Sequence, residues 1–374
     1  MSLKNETREA FQYTKSFYRD YTDGMTRKRM GREFQADSDR LRALYREAIG
    51  ANRTDIDPRK IPIHIKATRL FEALSERLKP TRRLVFGGAI AGFILHYFTT
   101  GFFSAILMPV SFTAVILILM VELLEKLDVK REIDLAREIQ LSLLPPSQIK
   151  HDKLEIASFA TTAREVGGDY VDVIETPKGV YLIIADVSGK GLSAALYMVR
   201  IQAMVRLLIR QSQPTPKELF LEMNNYIKSG KKDKTFVTAC AAFFPKDENS
   251  FQFCRAGHNS PILFRDEKDA TLTLRTPGLA LGICENDVLG KHLQQTTVTF
   301  NPGDSLLLYT DGLTEARDIS GREFGLSRLQ SIVEIYGAIA ANTLVNKIQY
   351  SLETFIDEEP QLDDITFTAI HYNK

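Results

Sequence analysis

Residues 84–121 read LVFGGAIAGFILHYFTTGFFSAILMPVSFTAVILILMV, a run of 38 positions without Asp, Glu, Lys or Arg. One membrane crossing takes roughly 20 apolar residues, so the run is long enough for two. Thr99-Thr100-Gly101 supplies a turn near its middle. The first crossing, residues 84–100, is at the short end and calls for tilt or local thinning of the bilayer. Arg82 and Arg83 precede the run, and Lys126, Lys130 and Arg131 follow it. A transmembrane helical hairpin over 84–121 with both ends in the cytoplasm obeys the positive-inside rule. A pair of buried helices in a soluble domain is the other use of such a run, and Pro109 is compatible with either.

The segment before this run is basic, with 20 Lys+Arg against 12 Asp+Glu in residues 1–83, whereas the remainder holds 28 against 35. A membrane surface and a solvated helical face both suit such a front. Residues 1–83 read as a helical basic region interrupted near Pro58 and Pro62, with no catalytic constellation and no assignable role. The three cysteines form no C-x-x-C pair, which argues against a disulfide framework and a structural zinc site. The polar first thirty residues contain no cleavable signal peptide. No nucleic-acid partner is expected.

After the apolar run, residues 122–146 read as a linker or stalk helix. Val129, Ile133, Ala136, Ile139 and Leu143 recur in steps of four, three, three and four, one helical stripe. Pro145-Pro146 ends it. The stripe in residues 122–144 suits pairing with a second copy as a homodimer, or packing within the chain. Residues 147–374 then alternate short β-branched runs with helical segments, the pattern of an α+β domain.

The chemistry lies in the acids of this last domain. Gly189-Lys190-Gly191 suggests a phosphate loop, but a P-loop needs Gly at 184 and Ser or Thr at 191, where Ile184 and Gly191 stand. Asp169 follows Gly167-Gly168, Asp186 ends YLIIADV, Asp311 ends SLLLYTDG, and Asp363-Asp364 open DDITFTAI. One acid at a strand end is an ordinary turn residue. Four such clusters point to a shared cleft, and oxygen donors without His or Cys select hard cations, Mg²⁺ or Mn²⁺. Shared carboxylates can hold two such ions about 3.5–4 Å apart, the arrangement that activates water for in-line phosphoryl displacement.

VGGDYVDV, IIADVSGKGLSAALYM, CRAGHNSPILF, GDSLLLYTDGLTEARD, FGLSRL and DDITFTAI occur in this order, preceded by AREIQLSLLPP. Together they resemble the bacterial SpoIIE-type branch of the protein phosphatase 2C metal-dependent serine/threonine phosphatases, over about residues 132–372. The resemblance implies a protein phosphatase 2C-like β-sandwich flanked by helices. It implies two Mn²⁺ or Mg²⁺ ions, with Asp186 bridging them, the Val187 carbonyl as a further ligand, and Asp169, Asp311 and Asp363 as direct or water-mediated ligands. Asp363 is favoured over Asp364 for the direct position. Arg164 is a candidate for gripping the substrate phosphate, in the manner of an Arg in eukaryotic members. His258 and Asn259 read as turn residues, and Thr310, Thr314 and Glu315 as supports of the Asp311 loop.

The expected function is that of a membrane-tethered phosphatase of the bacterial cytoplasmic membrane, its catalytic domain in the cytoplasm. It would remove phosphate from phosphoserine or phosphothreonine on a regulatory protein, by resemblance an anti-anti-sigma-type partner. The alternative is an inactive phosphatase-like module that only binds a phosphoprotein. A diguanylate cyclase, suggested by GGDY, fails because Tyr170-Val171 replace the Glu-Phe that such a motif requires.

Overall fold

The computed structural model describes residues 27–48, 61–229, 235–357 and 359–373. The chain divides into two compact units, Met1–Lys126 and Leu127–Lys374.

The first unit contains helices α1 (Arg27–Ala48), α2 (Ile63–Glu76), α3 (Pro80–His96) and the opening part of α4 (Phe102–Leu143). The interruption expected at Pro58 lies outside the described residues, whereas Pro62 stands at the N-cap of α2. The apolar run forms two helical arms, α3 and the start of α4, with the break at residues 97–101. Gly101 turns the chain with φ +79°. The arms meet through small residues: a Cβ added to Gly92 would overlap Ser111 Oγ. Such contacts let helix backbones approach closely in apolar surroundings. At the base, Arg82 donates to Glu122 Oε1 at 2.6 Å and to Glu125 Oε2 at 3.0 Å, and Lys79 donates to Glu125 Oε1 at 2.7 Å. Arg82 is therefore a paired cation that ties the two arms together. Outward-facing Leu84, Phe102, Phe103 and Leu119 remain exposed.

No break separates the second arm from the stalk. Helix α4 is 42 residues long and carries Pro109 inside it. Its covered stripe keeps the expected Ile133, Ala136 and Leu143, half-buried, but takes buried Gln140 in place of exposed Ile139, and Val129 is exposed.

The second unit is a two-sheet sandwich. Strands β1 (Gln148–His151), β2 (Leu154–Thr161), β7 (Ile262–Arg265), β8 (Ala270–Thr273), β10 (Ser305–Tyr309) and β11 (Ile365–Tyr372) form one antiparallel sheet in the order β1-β2-β11-β10-β7-β8. Strands β3 (Asp169–Thr176), β4 (Gly179–Val187), β5 (Val237–Pro245), β6 (Ser250–Ala256) and β9 (Gln295–Thr299) form the other in that order. Because side chains alternate along a strand, β4 supplies two cores at once. Val180, Leu182 and Ile184 face the opposite sheet with Phe244, Phe251, Leu306, Leu308 and Ile370. Tyr181, Ile183, Ala185 and Val187 pack outward with helices α5 (Leu192–Ser212) and α6 (Pro216–Ser229), through Met198, Val205, Leu219 and Phe220. This explains why β4 reads as an unbroken apolar run. Helix α5 is also long and apolar enough to cross a membrane, yet it spends that surface on the sheet. Helix α7 (Asn286–His292) and the single turn α8 (Asp311–Glu315) follow in chain order. On the other side, α9 (Leu326–Tyr336) and α10 (Ala341–Ile356) cover the first sheet with Leu329, Val333, Leu344 and Ile348 against Phe264, Leu307 and Phe367.

Candidate active site

The strand periodicity that builds the inter-sheet core also places the acids. Asp186 continues the face of Val180, Leu182 and Ile184 to the end of β4, and its register partners are Asp169 in β3 and Thr238 in β5. On the opposite sheet, Leu306 and Leu308 lead to Thr310, and Ile370 leads back through Thr368 and Thr366 to Asp364. The inner faces of both sheets thus end in polar residues at one end of the sandwich. Thr310 Oγ1 donates to Asp169 Oδ2 at 2.9 Å and receives the Thr366 N–H at 3.0 Å, a hydrogen-bonded bridge between the sheets.

Asp311 opens α8 immediately after β10. The following Gly312 lies against the Asp364 backbone so closely that a Cβ there would overlap the Asp364 carbonyl oxygen. Gly168 also lies close to the end of β4, where a Cβ would stand 2.9 Å from Val187 O and 3.6 Å from Asp186 Oδ1. These two glycines let three strand ends converge.

The neighbouring acids Asp363 and Asp364 have different surroundings. Asp364 Oδ1 accepts the Ala163 N–H at 2.9 Å, and Oδ2 accepts the Gly168 N–H at 2.7 Å, so its carboxylate holds the loop before Asp169. Asp363 is half-exposed and receives Lys190 Nζ at 2.6 Å on Oδ2. Lys190 also donates to Leu362 O at 3.1 Å. Arg164 is exposed on the rim, with Nη1 3.6 Å from where a Cβ on Gly191 would stand.

Crowding of carboxylates raises their proton affinity. Burial, followed by the charges of Asp311, Asp363 and Asp364, pushes Asp186 up to about 7. Burial and then Asp186 hold Asp169 well above the ordinary carboxylate range. Asp311 shifts upward through burial and Asp363, and Asp364 through burial, opposed by its backbone donors. A cation between these groups would relieve the repulsion. The donor set, all oxygen, suits a hard divalent ion. Among the described residues no three acidic, His or Cys side chains converge on one metal position as they stand. Asp363 is turned to Lys190 and to the Asp364 N–H, and Asp364 to the Ala163 and Gly168 N–H groups.

Thr314 Oγ1 donates to Asp311 O at 3.1 Å. His258 is buried in its turn, with Nδ1 2.9 Å from Thr238 Oγ1. Burial and then the charge of Arg255 lower His258 to about 3, so the ring is neutral. Arg255 clamps this turn, donating to His258 O at 2.5 Å and to Thr276 O at 3.0 Å.

Sequence reasoning did not single out Gln140. Its Nε2 donates to Gly167 O at 2.6 Å and its Oε1 accepts the Gly167 N–H at 3.1 Å, a reciprocal clamp on the glycine pair before Asp169. The available signal was spacing: Gln140 is the residue that shares a helix face with Ile133, Ala136 and Leu143. Asp172 was also unassigned. It is buried, paired with Arg206 Nε at 2.6 Å and hydrogen-bonded by Tyr170 OH at 3.0 Å. Arg206 and Gln202 both donate to Leu143 O, at 3.3 and 2.7 Å, and so cap the end of α4.

The family model for Stage II sporulation protein E (SpoIIE) matches residues 176–373. The phosphoserine phosphatase RsbU of Bacillus subtilis is 28% identical over 249 residues, which covers 65% of this chain and 70% of that protein. The SiaA-PP2C domain of Pseudomonas aeruginosa superposes with a TM-score of 0.58 at 20% identity, covering 67% of this chain and 99% of that domain. The phosphatase domain and regulatory fragment of SpoIIE from Bacillus subtilis superpose at 0.51 and 14% identity, covering 59% of this chain and 62% of that one.

Proposed function

The chain belongs to the SpoIIE family, and from that premise we propose that it is a metal-dependent protein serine/threonine phosphatase held at a membrane by its apolar hairpin. The observation that carries the proposal is the carboxylate cluster at one end of the sandwich, where Asp169 and Asp186 are register partners and neighbouring acids push Asp186 up to about 7. A cluster so costly to ionise has a physical purpose when divalent cations neutralise it. When bound, two Mn²⁺ or Mg²⁺ ions would supply an activated water and neutralise charge on the phosphoryl oxygens.

The residues of the chain then divide the remaining work. Asp186, the Val187 carbonyl, Asp169 and Asp311 would hold the ions through oxygen donors. Asp363 is the direct donor and Asp364 the loop anchor, because both Asp364 oxygens accept backbone N–H groups from another loop, whereas Asp363 accepts one, from Asp364 itself, and its other oxygen meets only Lys190. Arg164, exposed and with no side-chain partner among the described residues, is the candidate for meeting the substrate phosphate. The substrate is a phosphoserine or phosphothreonine protein, and an anti-anti-sigma-type regulator is the partner that the family resemblance favours. An inactive binding module is the less economical reading, since all the expected acids are present.

The test is phosphate release from a phosphoserine peptide and from p-nitrophenyl phosphate by the full chain in detergent. Turnover should require Mn²⁺ or Mg²⁺, and Asp186→Asn should lower it by at least about 100-fold. Equal turnover in chelator, or by Asp186→Asn, would sink the metal mechanism.

A further inference from the structure

A second cavity adjoins the acidic site and has the opposite electrostatic character. It has a volume of about 410 Å³, and its walls include Arg255, Arg275, His258, Asn259, Ser260 and Thr314. Two arginines and no Asp or Glu are among the described residues that line it, although the chain beyond residue 83 carries more acidic than basic side chains. A cationic cavity on such a background attracts anions.

Its position follows from the strand register. Asp186 pairs with Thr238, and Thr238 Oγ1 lies 2.9 Å from His258 Nδ1, so the cavity begins one strand beyond the carboxylates. The turn α8 lies between the two sites. Gly312 and Glu315 line the cleft that contains Lys190 and Asp363, whereas Thr314 lines the cationic cavity.

One polar group there, Arg275, is open to a ligand, and His258 is buried in the wall. His258 is 4% exposed, and its buried Nε2 has no hydrogen-bond partner among the described residues. Arg275 is exposed and has no side-chain partner among the described residues. Arg255 is already committed to the carbonyls of Thr276 and His258 and shapes the wall.

We propose that this cavity is a second anion subsite, which receives an acidic side chain of the phosphoprotein substrate near its phosphorylated residue. The inference rests on the phosphatase reading and adds a sequence preference to it. One strand spacing plus one hydrogen bond sets the subsite roughly 8–10 Å from Asp186, or two to three residues of extended peptide. The favoured substrate therefore carries Asp or Glu two or three residues from the phosphoserine.

The experiment compares phosphoserine peptides with Asp, Ala or Lys at those positions, using the full chain in detergent. Steady-state kinetics are measured with Mn²⁺, and fluorescence-anisotropy binding is measured in chelator. The native protein should prefer the Asp peptide over the Ala peptide by about five- to tenfold in kcat/KM, through KM. Arg275→Glu should abolish that preference and improve the Lys peptide relative to the Ala peptide, a gain that misfolding cannot produce. Arg275→Lys should retain most of the preference. Equal handling of the three peptides by the native protein, or an unchanged ratio in Arg275→Glu, overturns the subsite. Absence of turnover on every peptide and on p-nitrophenyl phosphate overturns the phosphatase reading instead, and the binding ratios then decide the subsite by the same criterion.

Discussion

Asp186 sits where two demands conflict. Its strand position makes it part of an apolar face, while its charge requires solvent or a cation. With folded-state proton affinity raised from 3.8 to about 7, its contribution to stability is fully present below pH 3.8 and is lost as pH rises through 7. The metal-free protein should therefore melt at a lower temperature at pH 8 than at pH 5.5. Asp186→Asn in chelator should recover several degrees at pH 8, on the order of 2–4 °C per kcal/mol relieved. Mn²⁺ should raise the native melting temperature more at pH 8 than at pH 5.5. Identical pH profiles for native and variant protein, followed by differential scanning fluorimetry, would contradict this account. The candidate acids were legible as residues because each ends an apolar run beside Gly or Ser. Lys190 was not legible: its ion pair with Asp363 joins positions 173 residues apart.

At the scale of elements, α4 carries two different faces in its last turns. Gln140 points inward and holds both backbone groups of Gly167. Gln140→Ala should cost about 2 kcal/mol in urea unfolding of the full chain, because two buried backbone groups lose their partner. It should also weaken Mn²⁺ binding by about tenfold in calorimetry, since Gly167 and Gly168 set the entry to β3. Unaltered Mn²⁺ affinity would leave Gln140 a purely structural contact. On the outer face, Val129, Leu135 and Ile139 stay exposed. If this stripe pairs two copies, Ile139→Lys should shift the mass seen by light scattering in detergent from dimer to monomer, with little change in melting temperature. Ile133→Lys, at a half-buried position, should instead destabilise the fold. A single mass for native and Ile139→Lys protein would remove the dimer. The sequence identified this helix by period, but a stripe of five apolar residues does not say which of two adjacent faces is covered.

For the whole molecule, the apolar hairpin sets the expected location. The full chain expressed in bacteria should stay with the membrane fraction through an alkaline carbonate wash, while release by carbonate would make α3 and α4 helices of a soluble unit. The arms are tied at both ends, by Arg82 with Glu122 and Glu125 at the base and by His96 with Ser104 at the turn. Sequence by itself determined the apolar hairpin, the succession of strands and helices, and the acids that end the strands. These follow from local periodicity and composition, which each segment carries on its own. Only the tertiary structure decided that GKG contributes a lysine turned onto Asp363, that Asp364 anchors a loop, and that Gln140 grips the glycines before Asp169. Each of these depends on segments brought together by closing two sheets over one core, and no local pattern encodes which strand ends will meet.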